Sequence, residues 1–431
     1  MRYPPCIEAD FEFPAFFRVK MHYPDDHIDD VAGELNRTLD TVLPESGIRA
    51  GDRVAIGVGS RGIDNIVRIV RTLCDRLRTV GAHPFVIPAM GSHGGATDAG
   101  QKKVLATLGI TPESCGAPVC SALAAEQVGT AFGEVPVFFS RDALAADHSI
   151  CINRIKPHTK FRADVGSGLF KMLCVGMGKH RGALSYHKWA LKYGFAPLVK
   201  AMGEAIIRNT NFRFGIGIAE NAHDRPHTIE AIPARQIAER EAVLLNVARE
   251  NFPRLPFSDI DALVIGRIGK EISGSGMDPN VTGRAYDLGE SDFSSSLRAT
   301  RVAILNLSEK TGGNAIGLGN ADFITEKVFR HMDYEATVMN AMTSMSLRKA
   351  FIPIRLPSEQ KAVQACFTTL GPVAPEKVRA VIIRDTLRVS EFWASSALKA
   401  ALQTLDAAEI LDQTNLRFTE NGDIRQPNLK E

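Results

Sequence analysis

The stretch Arg53–Gly95, RVAIGVGSRGIDNIVRIVRTLCDRLRTVGAHPFVIPAMGSHGG, carries the pattern from which the fold is read. Arg53 to Gly57 is a short apolar run of the length of a buried strand, and Pro84 to Pro88 is a second. Between them, Ile63 to Val80 places apolar residues at helical spacing. Glycines follow both strands, in Gly57-Val58-Gly59-Ser60-Arg61-Gly62 and in Gly91-Ser92-His93-Gly94-Gly95. Strand, helix and strand in succession predict a parallel α/β layer. Ligands of such sheets lie beyond the carboxyl ends of the strands, where Arg61 and His93 fall.

The same alternation runs outward. Helices are expected over 28–43, 97–108, 196–209 and 234–249, and strands over 149–152 and 212–221, with short strands within 116–140. Residues 1–30 read as an extended or edge segment. Asn251-Phe252-Pro253-Arg254-Leu255-Pro256 is a proline-bounded connector, after which the pattern restarts. Strands follow at 261–269, 302–307 and 379–383, with helices at 322–332, 335–348 and 391–405. The prediction is two α/β domains with mostly parallel sheets, 1–254 and 255–431, and an active-site cleft between them.

At 431 residues, 45% hydrophobic and 23% charged, the composition is that of a globular protein with large cores. A formal net charge of +2 argues against a nucleic-acid partner. No apolar run approaches the ~18 residues of a membrane span, and MRYPPCIEADFEFP lacks the apolar centre of a signal peptide. A cytoplasmic protein is therefore expected, as a single chain or a homo-oligomer. Cysteines 6, 74, 115, 120, 151, 174 and 366 show no C-x-x-C spacing, which excludes the usual zinc-ribbon and thioredoxin signatures. Cys151 and Cys174 lie in apolar runs and read as core.

Chemistry-bearing residues concentrate in two places. GVGSRG is a G-x-G-x-x-G between a strand and a helix, and the backbone of Gly59 and Ser60 with the Arg61 fork suits a phosphate. A dinucleotide site would want an acid after the next strand, and Pro88-Ala89-Met90-Gly91 has none. The second place is His148–Lys188, HSICINRIKPHTKFRADVGSGLFKMLCVGMGKHRGALSYHK. It holds His158 beside Pro157, Lys171 in an apolar segment after glycine turns, and His187 sixteen residues on. Lys171 either snorkels from a helix or, if buried, serves as a nucleophile. His187 is a surface residue or a metal ligand. Lys179, His180 and Arg181 read as a solvated basic turn. Beyond the connector, GKEISGSGMDPN (269–280) is no Walker loop, but it presents Lys270 and backbone N–H groups to an anion. Thr311-Gly312-Gly313-Asn314 is a second glycine turn.

Taken in order, Arg61, His93 in GSHGG, His158 in KPH, Lys171 after Ser-Gly and His187 resemble the nickel-dependent lactate racemase family. The resemblance is strongest over residues 50–190. It implies a two-domain α/β isomerase that interconverts 2-hydroxy-acid stereoisomers. The implied cofactor is a nickel-pincer nucleotide, a pyridinium mononucleotide holding nickel through two sulfurs and a ring carbon and joined to a lysine as a thioamide. Carried over, Lys171 is the tether, His187 the nickel ligand, and Arg61 with Gly59 and Ser60 the phosphate contact. His93 and His158 would be acid–base residues on opposite faces of the substrate. The substrate carboxylate also needs cations, and the candidate read from this sequence, not from the family, is Lys270, with Arg284 behind it. Cofactor-maturation enzymes are implied partners.

The run Val58-Gly59-Ser60-Arg61-Gly62 departs from the family's usual Asp-Thr before the arginine and proline after it, marking a divergent branch. Three other readings stay open on the residues alone. They are zinc held by His93, His158 and His187, an NAD-dependent dehydrogenase on GVGSRG, and an organic-acid or nucleotide binder without turnover.

Overall fold

The computed structural model describes residues 2–91, 93–285 and 297–426. Contacts divide the chain into two units, one of residues 24–252 and one of residues 1–23 with 253–431.

The strands in chain order begin with β1 (Phe16–Met21), which belongs to the second unit. The unit of residues 24–252 contains β2 (Arg53–Val58), β3 (His83–Pro88), β4 (Ala125–Ala131), β5 (Val135–Ser140), β6 (His148–Arg154), β7 (Phe212–Glu220) and β8 (Pro226–Pro233). Its main sheet has the order β3-β2-β6-β7-β8; the first four strands are parallel and β8 returns antiparallel. β4 and β5 form a separate hairpin. β2 is buried at every residue after Arg53, because a parallel strand is covered on both faces. The helix Ile66–Thr79 buries Ile66, Ile69, Val70, Leu73, Cys74 and Leu77 against it, one apolar stripe at helical spacing. A second core on the opposite face includes Cys151, Leu169, Phe170, Cys174 and Tyr186. Both cysteines read as core are fully buried.

The other unit adds β9 (Asp259–Ile268), β10 (Arg298–Leu307), β11 (Phe323–Thr325), β12 (Ile354–Leu356), β13 (Ala380–Asp385), β14 (Arg388–Ser395) and β15 (Ala408–Thr414). Its sheet runs β12-β11-β10-β9-β13-β14-β1-β15, parallel through β13 and antiparallel beyond. The mixed α/β class with mostly parallel sheets is the one expected.

Two local expectations are corrected. Residues 1–23 do not accompany the N-terminal unit as the 1–254 boundary had them, because β1 lies between β14 and β15. Residues 391–405 are not one helix. Phe392, Trp393 and Ala394 are buried in β14, where pairing with β13 and β1 overrides local helical spacing, and only Lys399–Gln403 is α-helical. Among the described residues, no helix is long and apolar enough to cross a membrane.

Candidate active site

Because β3, β2 and β6 are parallel neighbours, their carboxyl ends open on one edge of the sheet, with Val58 level with both Pro88 and Ile152. Three loops distant in sequence therefore emerge together: Gly59–Gly62, the turn after Pro88, and the segment after Arg154. Across them lies a helical segment of unusual build. Leu169–Lys171 opens it, Met172–Met177 is a π-helical turn, and Lys179–Tyr193 continues as an α-helix. Such π turns concentrate at functional sites. Glycines allow the close approach. A Cβ on Gly59 would stand 2.9 Å from the Met172 methyl, and one on Gly176 would stand 2.8 Å from the Ala89 carbonyl oxygen. Gly91, at φ +59°, faces the Val175 carbonyl.

The loop between β6 and this helix is closed by a backbone pair, Lys156 with Ser167, at 3.2 and 2.9 Å. The Asn153 side chain donates to the Gly168 carbonyl at 2.8 Å. The first turn of the helix rests on the buried carboxyl of Glu241, which accepts the Phe170 N–H at 2.9 Å. Burial raises the pKa of Glu241 to about 7.

These contacts fix Lys171 beside His158. Lys171 Nζ lies 3.1 Å from His158 Nε2, and the backbone N–H of Lys160 donates to His158 Nδ1 at 3.1 Å. Since Nδ1 accepts, a neutral ring carries its proton on Nε2, so Nε2–H donates and the amine accepts. Only an uncharged amine has the lone pair for that. Part of Lys171 still reaches solvent, yet protein atoms crowd its amine. That burial, with Arg61, Lys156 and Lys160 adding repulsion, lowers its pKa to about 7. His158 is buried and stacks on Phe161 at 4.2 Å between centroids. Phe161 in turn stacks on Phe195 at 6.2 Å, and Phe195 meets His187 edge-on at 6.4 Å. One aromatic row thus links the two histidines, and the Lys160 ammonium sits 4.8 Å over the Phe195 ring.

The β3 turn brings His93 to the β2 turn. His93 Nδ1 and Ser60 Oγ are 2.5 Å apart. Buried Gln101 supports the loop from beneath, donating to the carbonyls of Gly91 at 2.9 Å and His93 at 3.3 Å. Ser92 lies outside the described residues. Arg61 is exposed at the next position of the β2 turn, though crowding and nearby Arg154 lower its pKa. Arg154 itself is paired with Glu220. Among the described residues, no three His, Cys, Asp or Glu side chains are grouped to hold a metal ion.

No family model and no curated protein matches the sequence. Among solved structures the chain is similar to the lactate racemase apoprotein of Thermoanaerobacterium thermosaccharolyticum. The TM-score is 0.51 at 12% identity, over 81% of this chain and 90% of that one. The fold is lactate-racemase-like. A Thermotoga maritima protein matches equally, at TM-score 0.51 and 12% identity, over 83% of this chain and 94% of that one.

On this lactate-racemase-like fold, Gly59, Ser60, Arg61, His93, His158, Lys171 and His187 all belong to the unit of residues 24–252, and Lys270 to the other. Lys270 follows β9, its backbone N–H donating to Thr311 Oγ1 at 3.2 Å. Arg284 is not positioned as a second substrate cation. Its guanidinium holds Asp322 at 2.9 Å and the carbonyls of Ala299 and Thr300, joining β10 to the β11 entry. Lys179 is no solvated turn residue either. It is fully buried at φ +56°, and its amine donates to the Pro88 carbonyl at 2.6 Å. Glu241 escaped the sequence reading although it carried a signal. It shares the buried stripe of its helix with Ile237, Leu244, Leu245 and Ala248, where a lone carboxylate needs partners.

Proposed function

We propose that the chain is a 2-hydroxy-acid racemase or epimerase working with a nickel-pincer nucleotide carried on Lys171. The observation that carries this reading is the Lys171–His158 contact, which makes the amine an acceptor and so a nucleophile ready for a covalent tether. The neighbouring residues suit the group. Arg61 and the backbone of Gly59 and Ser60 would hold its phosphate, and His187 would give an imidazole nitrogen to the metal. When bound, the group supplies a centre that takes up and returns the hydrogen on the substrate's second carbon with its electron pair.

The chain's own task is then the hydroxyl proton. Both histidines are anchored through Nδ1, His93 by Ser60 and His158 by the Lys160 N–H, so each works through Nε2. A planar 2-oxo acid can be rebuilt from either face, and inversion needs a proton donor on each; an imidazole on each side would meet that need. Lys156 and Lys160, in the loop that carries His158, add positive potential for a carboxylate. Lys270, in the glycine-rich turn after β9, is proposed as a further cation for that carboxylate.

Co-expression with cofactor-maturation enzymes, followed by intact-protein mass spectrometry and metal analysis, is expected to show an adduct on Lys171 and stoichiometric nickel. The loaded protein should scramble the configuration of a 2-hydroxy acid. Neither adduct nor nickel after co-expression would sink the reading.

A further inference from the structure

The Lys171–His158 pair has the parts of a carbonyl-trapping site, whether or not a cofactor is ever attached. We infer that the unloaded chain forms an imine between Lys171 and small anionic carbonyl compounds, the 2-oxo acids. The inference shares the Lys171–His158 contact with the cofactor reading but concerns the bare amine, so the two are tested by different measurements.

Imine formation needs a nucleophilic nitrogen, a proton donor beside it and a means of drawing the substrate in. The nitrogen is Nζ, held as an acceptor by the arrangement of His158. The donor is His158 Nε2–H, 3.1 Å away. The attraction comes from Arg61, Lys156 and Lys160, whose charges all act on Lys171. A carboxylate next to the carbonyl would answer that positive field, whereas an uncharged ketone or aldehyde would gain nothing from it.

The steps balance without an oxidant or reductant. The Nζ lone pair forms the C–N bond, and the carbonyl π pair moves to oxygen, which takes the Nε2 proton. The nitrogen, now carrying one hydrogen too many, returns a proton to Nε2. The remaining lone pair on nitrogen then forms the second C–N bond while the hydroxyl leaves as water with the His158 proton. The iminium finally yields its N–H proton to the ring. The sum is amine plus carbonyl giving imine plus water.

Selectivity follows from protonation. At pH 7 about half of the Lys171 amine is uncharged, with its pKa at about 7. A surface lysine near 10.4 is uncharged in only about 1 molecule in 2,500 at that pH, so Lys171 should react on the order of 10³-fold faster.

The experiment uses the full chain expressed without maturation enzymes, incubated at pH 7 with glyoxylate or pyruvate and sodium cyanoborohydride. Intact mass and peptide mapping should show a single reduced adduct on Lys171. Acetaldehyde at the same concentration should label that lysine at least tenfold more slowly. His158→Gln should slow labelling at least tenfold in protein shown by circular dichroism to be folded, and Lys171→Arg should remove it. Labelling spread evenly over surface lysines, or none at Lys171, overturns the inference. So does acetaldehyde labelling Lys171 as fast as glyoxylate. Each of these results leaves the cofactor reading standing, because that reading is decided by adduct mass and nickel after co-expression.

Discussion

Lys171 and Lys179 lie eight residues apart on one helical segment, at either end of the same π turn, and burial lowers the pKa of both, to about 7 and about 8. Their partners separate them. Lys179 donates to a carbonyl oxygen, an arrangement that accepts the amine in either protonation state and simply closes a hydrogen bond in the core. Lys171 meets an imidazole N–H and three cations, an arrangement that suits only the uncharged amine. A lowered pKa therefore does not by itself mark a reactive lysine. The chemistry of the nearest polar atom decides what the amine is for.

The largest expected effect tests that division directly. Lys171→Arg should abolish both the reduced 2-oxo-acid adduct and the cofactor adduct proposed to form on co-expression, since a guanidinium stays charged and has no nucleophilic lone pair to offer. Lys179→Met should keep both adducts and lose stability, by about 1–3 kcal/mol, because the Pro88 carbonyl is left buried without its donor. Peptide mapping and urea unfolding of the two variants read this out. Adduct loss in the Lys179 variant at unchanged stability would break the comparison.

A middle-sized effect concerns the π turn that separates the lysines. An alanine at Gly176 would place its Cβ 2.8 Å from the Ala89 carbonyl oxygen, pushing the turn off the end of β3. The expected cost for Gly176→Ala is about 1–3 kcal/mol of overpacking strain. Labelling at Lys171 should slow as well, since the same turn fixes its helix against the sheet. Unchanged stability in urea would show that the turn and the strand end are less tightly coupled than their geometry requires.

Much of this unit was legible because parallel strands and amphipathic helices write themselves locally. β2 and β3 stand out by their largely apolar runs, β6 by the shorter Ile150-Cys151-Ile152, and Ile66–Thr79 as a stripe. The glycine turns after those strands marked where His93 and Arg61 would emerge. What stayed illegible depends on partners far along the chain. Lys179 sits among His180 and Arg181 like any basic turn, and nothing nearby in sequence names the Pro88 carbonyl as its acceptor. β1 reads as a loose edge segment because its partners, β14 and β15, lie near the other end of the chain. The tautomer of His158 needs both Lys160 and Lys171 in place before it can be stated.

The effect that is smallest at each step distinguishes the two amines by pH. In the unfolded chain both lysines bind a proton below about 10.4. In the folded chain Lys179 binds one only below about 8, and Lys171 only below about 7. Between those limits the unfolded state holds the extra proton, so each lysine makes stability rise as pH rises through its window, by at most about 1.4 kcal/mol per pH unit. Replacing either with methionine removes its share of the slope and leaves all other titrating groups in place. The stability difference between wild type and Lys179→Met should therefore begin to grow above pH 8, and that for Lys171→Met already above pH 7. Urea unfolding in half-unit steps from pH 6.5 to 10 can locate both onsets. Coincident onsets would mean that Arg61, Lys156 and Lys160 add nothing to burial at Lys171, and the contrast between the two amines would then rest on His158 alone.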